Sequence, residues 1–306
     1  MGIDRSALKR QAREEMRLPR PSFWLVTLVY LLMTTWLSTL LDLAVPAQGD
    51  PSTFGGLFSL FLSILLTLYN VVVGFGYTLW SLWTARRLNP GLGSLIEGFS
   101  VAGRVIWMEI LILLRVVGWA LLFSVLLIFI SLLFSSLPIV ELLVLFLAAA
   151  AIWIFLLRYS LASYLLADRP DDGASAAIRR SVELMDGWKW EMFKLEFSFL
   201  GWYLLQLLLS GLPLVLGLYQ AGFFPMLLSG TPQELYLTYV LTAGSLPVLL
   251  ASQLLTLPLQ LWFTPYLSVT RARFYEFRLQ AQHRYCCIQK DIDNDICPEC
   301  HESAHL

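Results

Sequence analysis

Side chains that do covalent or metal chemistry are almost missing from this chain until its final two dozen residues. No histidine precedes His283 and no cysteine precedes Cys286. A Ser–His nucleophile pair therefore cannot be assembled from residues 1–282. No glycine-rich loop followed by lysine is present to cradle a phosphate. Charge is scarce as well, at 14 % of residues, and three stretches near 45–55, 135–137 and 219–243 carry no lysine or arginine at all. These gaps argue against an enzyme, and nothing in the net charge of −1 points to nucleic acid as a partner.

Apolar side chains fill the space left by charge. The hydrophobic fraction is 58 % and the mean hydropathy is +0.68. One soluble core cannot hide that much apolar surface in a chain of 306 residues. Six runs are long enough to cross a bilayer as helix: about 23–44, 56–84, 105–134, 138–167, 193–218 and 244–270. The expected fold class is an all-α, polytopic transmembrane helical bundle. The first run follows a long basic segment and exceeds a signal-peptide core, so it reads as a span rather than a cleaved leader. Some runs exceed a straight crossing, and tilt or breaks at Gly74, Gly76, Pro213, Pro247, Pro258 and Pro265 would absorb the excess.

The basic residues partition sharply. Arg5, Lys9, Arg10, Arg13, Arg17 and Arg20 precede the first run. Arg86, Arg87 and Arg104 lie between the second and third. Arg169, Arg179, Arg180, Lys189 and Lys194 lie between the fourth and the body of the fifth, and Arg271, Arg273, Arg278, Arg284 and Lys290 follow the sixth. The positive-inside rule then places both termini in the cytoplasm and the spans in the cytoplasmic (plasma) membrane. Such an inner face favours anionic headgroups, so membrane lipids are the expected partners, with another membrane protein as a further one. The layout reads as a basic amphipathic helix at 1–22, a membrane domain at 23–280 and a Cys/His-rich tail at 281–306.

The inner segments rhyme. SALKRQAREEMRLPRPSFW, NPGLGSLIEGFSVAGRVIWME and RPDDGASAAIRRSVELMDGWKWE each contain a short helix pattern that leads back into an apolar run. The ends of the spans feeding them also match: GYTLWSLWTARR at 76–87, RYSLASYLLADR at 158–169 and PYLSVTRARFYE at 265–276. This suggests a threefold repeat of a helix pair with its elbow. In the third elbow Asp171, Asp172 and Ser175 are placed to cap a helix. Ile178, Val182 and Met185 share a helical face, and Gly187 is placed to end it. Asp168, Asp171 and Asp172 read as a solvated cap rather than a cation site.

RYSLASYLLAD, IRRSVELMDGWKWEMFKLEFSFLGW and PYLSVTRARFYE, together with the basic SALKRQAREEM, resemble a bacterial integral membrane family called DUF975. The resemblance implies a multi-span bacterial protein of the cytoplasmic membrane. It supplies no reaction and no catalytic residues, and the cysteine-rich tail lies outside it.

Two arginines fall inside spans. Arg115 lies eleven residues past Arg104, and Arg158 ten before Asp168. Each is therefore roughly 15 Å deep, near the midplane of the hydrocarbon. There an arginine needs a partner or a wet cavity. Glu109 and Glu196 are the candidate partners. The four define a polar cavity for an anionic ligand, or else a structural ion-pair network.

The tail HRYCCIQKDIDNDICPECH pairs His283-x2-Cys286 with Cys297-x2-Cys300 across ten residues. A reducing cytosol disfavours disulfides, so the spacing reads as a small Cys3His zinc ribbon, with structural zinc as the cofactor. Cys287, His301 and His305 are substitute ligands. The expected function is a non-enzymatic, membrane-embedded lipid- or protein-binding scaffold with a zinc tail. The rival is a transporter or lipid-handling carrier whose path is lined by Arg115, Arg158, Glu109 and Glu196.

Overall fold

The computed structural model describes residues 4–18, 21–44, 54–133 and 138–293. Every regular element among them is helical. In chain order they are α1 (Arg5–Glu15), α2 (Phe23–Leu31), α3 (Leu37–Ala44), α4 (Phe54–Ala85), α5 (Gly93–Glu97), α6 (Ala102–Leu133), α7 (Pro138–Leu156), α8 (Ala162–Asp168), α9 (Ala174–Leu184), α10 (Lys189–Phe197), α11 (Leu200–Gln220), α12 (Phe223–Ser229), α13 (Pro232–Ala243) and α14 (Leu246–Asp293). Six stretches are long and apolar enough to cross a membrane: Phe23–Leu41, Gly55–Ala85, Gly93–Ile130, Leu142–Asp168, Leu200–Gln220 and Leu246–Gln282. The chain is a multi-pass helical membrane protein. Contacts divide it into two compact units, one of Met1–Arg20, Val71–Leu195 and Ser268–Leu306, the other of Pro21–Asn70 and Glu196–Leu267.

The first unit packs around Trp80, Leu95, Met108, Leu161, Ile178 and Phe274, all essentially buried. Helix α1 joins it through Leu8, Ala12 and Met16, which recur at helical spacing, while Arg5, Arg10 and Arg17 stay exposed. Asp4 caps α1 by accepting from the Ser6 and Ala7 amides at 3.0 and 3.1 Å. The second unit packs Phe199 against Phe263 and Tyr266, with Trp202 over Trp262 at 4.8 Å. In it Asn70 Nδ2 donates to Ser38 Oγ at 3.1 Å.

Several local expectations change. Helix α4 runs unbroken past Gly74 and Gly76. Gly76 serves a close approach instead: a Cβ there would overlap the Leu95 carbonyl, and one on Gly98 would lie 2.7 Å from the Val72 carbonyl. Pro213 lies inside α11, and Pro258 and Pro265 inside α14, without ending either helix. The fifth apolar stretch starts at Leu200, not 193, because α10 before it is a separate helix that carries Lys189, Glu191 and Lys194. The lysine-free stretch 219–243 is not a plain loop. It folds as α12 and α13, and Thr231 and Glu234 form a capping box around Pro232 at the first turn. The T-P-Q-E sequence carries that signal.

The third elbow is capped differently from the expectation. Helix α9 does bury Ile178 and Met185, and Gly187 takes the left-handed conformation just beyond its end. Its N-terminus has no side-chain cap, however. Asp172 pairs with Arg180 at 2.8 Å and Asp171 with Arg104 at 3.3 Å. With arginines this near, the carboxylates pair with guanidinium groups instead of bonding to the helix amides.

Candidate functional site

Three spans of the first unit bring their ends together at one charged cluster. Asp168 closes α8, Arg86 follows α4, and Tyr275 and Glu276 lie on α14. Arg86 grips Asp168 in a fork, Nη1 to Oδ1 at 2.5 Å and Nη2 to Oδ2 at 2.8 Å. Its Nε donates to Glu276 Oε1 at 2.7 Å. The Tyr275 hydroxyl donates to Asp168 Oδ2 at 2.7 Å. Burial opposes the Arg86 charge, but the carboxylates of Asp168 and Glu276 outweigh it and hold the guanidinium above its ordinary range.

Two further links tie the same unit. Glu15 is buried (1 % exposed), accepts from Arg273 Nε and Nη2, and lies 3.5 Å from Arg87 Nε. Arg278 donates from Nε and Nη2 to the Leu184 carbonyl at 3.0 and 2.7 Å, and so caps the C-terminus of α9. Its guanidinium lies 4.3 Å from the Trp188 ring centroid.

Sequence reasoning did not single out this cluster, although a signal for it exists. In the three rhyming segments Tyr77, Tyr159 and Tyr266 are each buried, and Arg86, Asp168 and Tyr275 each follow nine residues later. The equal sequence spacing thus marks three complementary side chains that meet at one point.

The predicted intramembrane residues are divided between the two units. Glu196 is buried and belongs to the second unit; the other three belong to the first. Among the described residues Arg115, Arg158 and Glu109 make no ion pair. Six residues separate Glu109 from Arg115, which rotates them about 120° apart on one helix and prevents pairing. Arg115 is exposed on α6, with its guanidinium 5.6 Å from the Tyr159 ring centroid. Arg158 lies 5.7 Å from the Phe155 centroid, and its buried Nε has no hydrogen-bond partner among the described residues. An arginine at such depth costs about 2.5–3.5 kcal/mol to insert, of which one cation–π contact returns about 0.5–2 kcal/mol.

A break in the fourth span shapes the region. Between α7 and α8 the chain tightens into a 3-10 turn at Leu157–Tyr159. The Arg158 carbonyl accepts from Ser181 Oγ of α9 at 2.8 Å. A neighbouring element thus bonds to backbone where helix geometry is interrupted. Beside the break a groove of about 510 Å³ runs along α6, bordered by Arg115, Gly118, Trp119, Leu122, Phe155 and Tyr159. A second hollow of about 350 Å³ borders the charged cluster, between Asp168, Arg180, Glu183 and Gln282.

The proposed zinc ligands divide. His283, Cys286 and Cys287 fall on the last turns of α14, which continues to Asp293. Cys297, Cys300, His301 and His305 lie outside the described residues, so the ligand set is not on view. Among the described residues no cluster of three or more His, Cys, Asp or Glu side chains is arranged to hold a metal.

Neither the curated proteins nor the solved structures compared with this chain give a match. A family model does: it matches residues 1–282, the whole of the chain up to the end of the sixth span, and the chain belongs to that family, described as "Protein of unknown function (DUF975)".

Proposed function

We propose that this protein is a non-enzymatic component of the bacterial cytoplasmic membrane that binds anionic lipids through a basic cytoplasmic face. The observation that carries the reading is the gathering of all lysines and arginines but Arg115 and Arg158 into four segments next to the six apolar runs of the sequence, with none in the three intervening stretches. Exposed Arg5, Arg10, Arg17 and Arg179 supply charge there, each worth about 1 kcal/mol near an anionic surface. The cytoplasmic side is assigned by charge bias, with both termini on it. The lipid-bound protein serves as a scaffold that another membrane protein engages.

A structural zinc in the tail, held by His283, Cys286, Cys297 and Cys300, belongs to the same reading and rests on their spacing. Metal analysis of freshly purified protein is expected to give one zinc per chain, lost in the Cys297→Ser/Cys300→Ser variant.

The test of lipid binding compares lipids retained by full-length protein extracted from membranes. Wild type is expected to be enriched in phosphatidylglycerol over phosphatidylethanolamine, and Arg10→Gln/Arg17→Gln/Arg179→Gln is expected to lose that enrichment. Equal retention by both proteins overturns the reading. A second reading, a lipid-handling carrier, is favoured by the groove at Arg115 and opposed by the unbroken course of α11 and α14 through their prolines. Accelerated lipid exchange between leaflets of reconstituted vesicles would select it.

A further inference from the structure

The groove beside the break in the fourth span has properties that a packing defect does not need. Arg115 borders it, exposed, in the middle of a long apolar helix. No acidic side chain borders it, and Arg115 has no ion pair among the described residues. A second guanidinium, Arg158, belongs to the same turn as Tyr159 on the opposite wall, and its Nε is buried without a partner among the described residues. The local charge is therefore positive and uncompensated.

The remaining walls are apolar or amphipathic. Trp119 and Phe155 lie 5.1 Å apart, ring centroid to centroid. Leu114, Trp119 and Leu122 are exposed, so the groove opens toward the surroundings of the helix, which for a span is lipid. An occupant must arrive from the bilayer, carry a hydrocarbon body and present negative charge to a guanidinium. Tryptophan and tyrosine are the side chains that suit such a junction, with an apolar ring and a polar edge. Arginine suits a phosphate in particular, because its planar fork donates two parallel hydrogen bonds.

Glycine shapes the groove at one place. Gly118 stands one turn beyond Arg115, and a Cβ built on it would meet nothing within 4 Å. No packing partner requires glycine there. Its missing side chain leaves open the space next to the guanidinium.

We propose that this groove is a binding site for one anionic phospholipid, with the headgroup phosphate held by Arg115 and the acyl chains lying along the apolar walls of α6. This rests on the lipid-binding reading above and deepens it, from a diffuse basic surface to a single site within the span. Charge complementarity decides the occupant. A zwitterionic lipid brings its own cation to a groove bordered by an unpaired guanidinium and no acid, and an apolar helix offers no anion.

The test is native mass spectrometry of the full-length protein, delipidated in detergent and titrated with phosphatidylglycerol, phosphatidylcholine or oleate. Wild type is expected to retain one phosphatidylglycerol in preference to the other two. Arg115→Gln is expected to weaken that retention at least tenfold, and Arg115→Lys less. Gly118→Leu keeps the charge and the helix but fills the groove, and it is expected to weaken retention as Arg115→Gln does. If Arg115→Gln fails to accumulate, Gly118→Leu alone carries the test. Unchanged retention in Gly118→Leu overturns the site, as does wild type holding oleate or phosphatidylcholine equally well. The triple variant Arg10→Gln/Arg17→Gln/Arg179→Gln separates the two claims. If it loses phosphatidylglycerol while the groove variants keep it, the groove fails and the basic-surface reading stands. If the groove variants lose it and the triple variant does not, the groove stands without the surface.

Discussion

Replacing Asp168 by alanine removes an acceptor shared by two other spans. The carboxylate takes the Arg86 fork at 2.5 and 2.8 Å and the Tyr275 hydroxyl at 2.7 Å. Breaking a buried ion pair by deleting one partner costs about 3–5 kcal/mol. This pair is not fully buried: the Arg86 and Asp168 side chains are 30 % and 21 % exposed, so water recovers part of that cost. Arg86 also keeps Glu276 at 2.7 Å after the loss. The net expectation is a destabilisation of about 2–3 kcal/mol for Asp168→Ala, with roughly 1 kcal/mol for Tyr275→Phe, the cost of one hydrogen bond. A double-mutant cycle over Arg86→Ala and Asp168→Ala isolates the pair, and its coupling is expected near 1–2 kcal/mol. The assay is reversible unfolding of the full-length protein in mixed micelles, where each variant's unfolding free energy is measured under one condition. A coupling below about 0.5 kcal/mol refutes the claim that this cluster ties α4, α8 and α14 together, because neighbours that share a network couple by more.

Other outcomes follow from single positions. Gly98→Leu is expected to destabilise by more than about 1–3 kcal/mol, the usual penalty for overpacking, because the obstacle at 2.7 Å is the Val72 backbone and not a side chain that rotates away. Its melting temperature in detergent reports this, and Gly74→Leu is a control with open space around it. Arg87 has φ of +60° in the position where helices favour glycine, with Leu88 N–H bonded back to the Trp83 carbonyl at 2.9 Å. Arg87→Gly is therefore expected to stabilise by about 0.5–1 kcal/mol, because the ion pair it gives up with Glu15 is exposed on the Arg87 side and Glu15 retains Arg273. A lower unfolding free energy for Arg87→Gly would assign the Glu15 contact the larger share. Glu234 accepts from the Thr231 amide, which holds its carboxyl below the ordinary 4.5. A depressed carboxyl stabilises the folded form above the unfolded value and loses that contribution as pH falls through the folded one. Amide protection in α13, corrected for the intrinsic rate, is expected to drop below pH 4.5 in wild type and to be flat with pH in Glu234→Gln, whose side-chain carbonyl still accepts from the Thr231 amide.

The bilayer explains which features could be read in the sequence. A span needs a run of apolar residues at the place where it crosses, so Phe23–Leu41 and Leu200–Gln220 announce themselves locally. The amphipathic patterns of α1 and α9 are local too, since Leu8, Ala12 and Met16 repeat at helical spacing whatever covers them. Counting along the chain also puts Arg115 well inside the third apolar stretch, Gly93–Ile130. Counting did not supply its neighbour. Glu109 was the nearest acid in sequence, yet helix rotation turns it away, and the ring beside Arg115 is Tyr159 of another span.

From the sequence alone come the all-helical class, the six crossings and the partition of charge, because solvent dictates composition residue by residue along a helix. Tertiary structure alone decides which charges meet. Arg86 and Asp168 stand 82 positions apart, and Glu15 and Arg273 258 apart. The azimuth and height at which each helix docks choose those pairs, and packing sets azimuth and height, not the apolar content of the run.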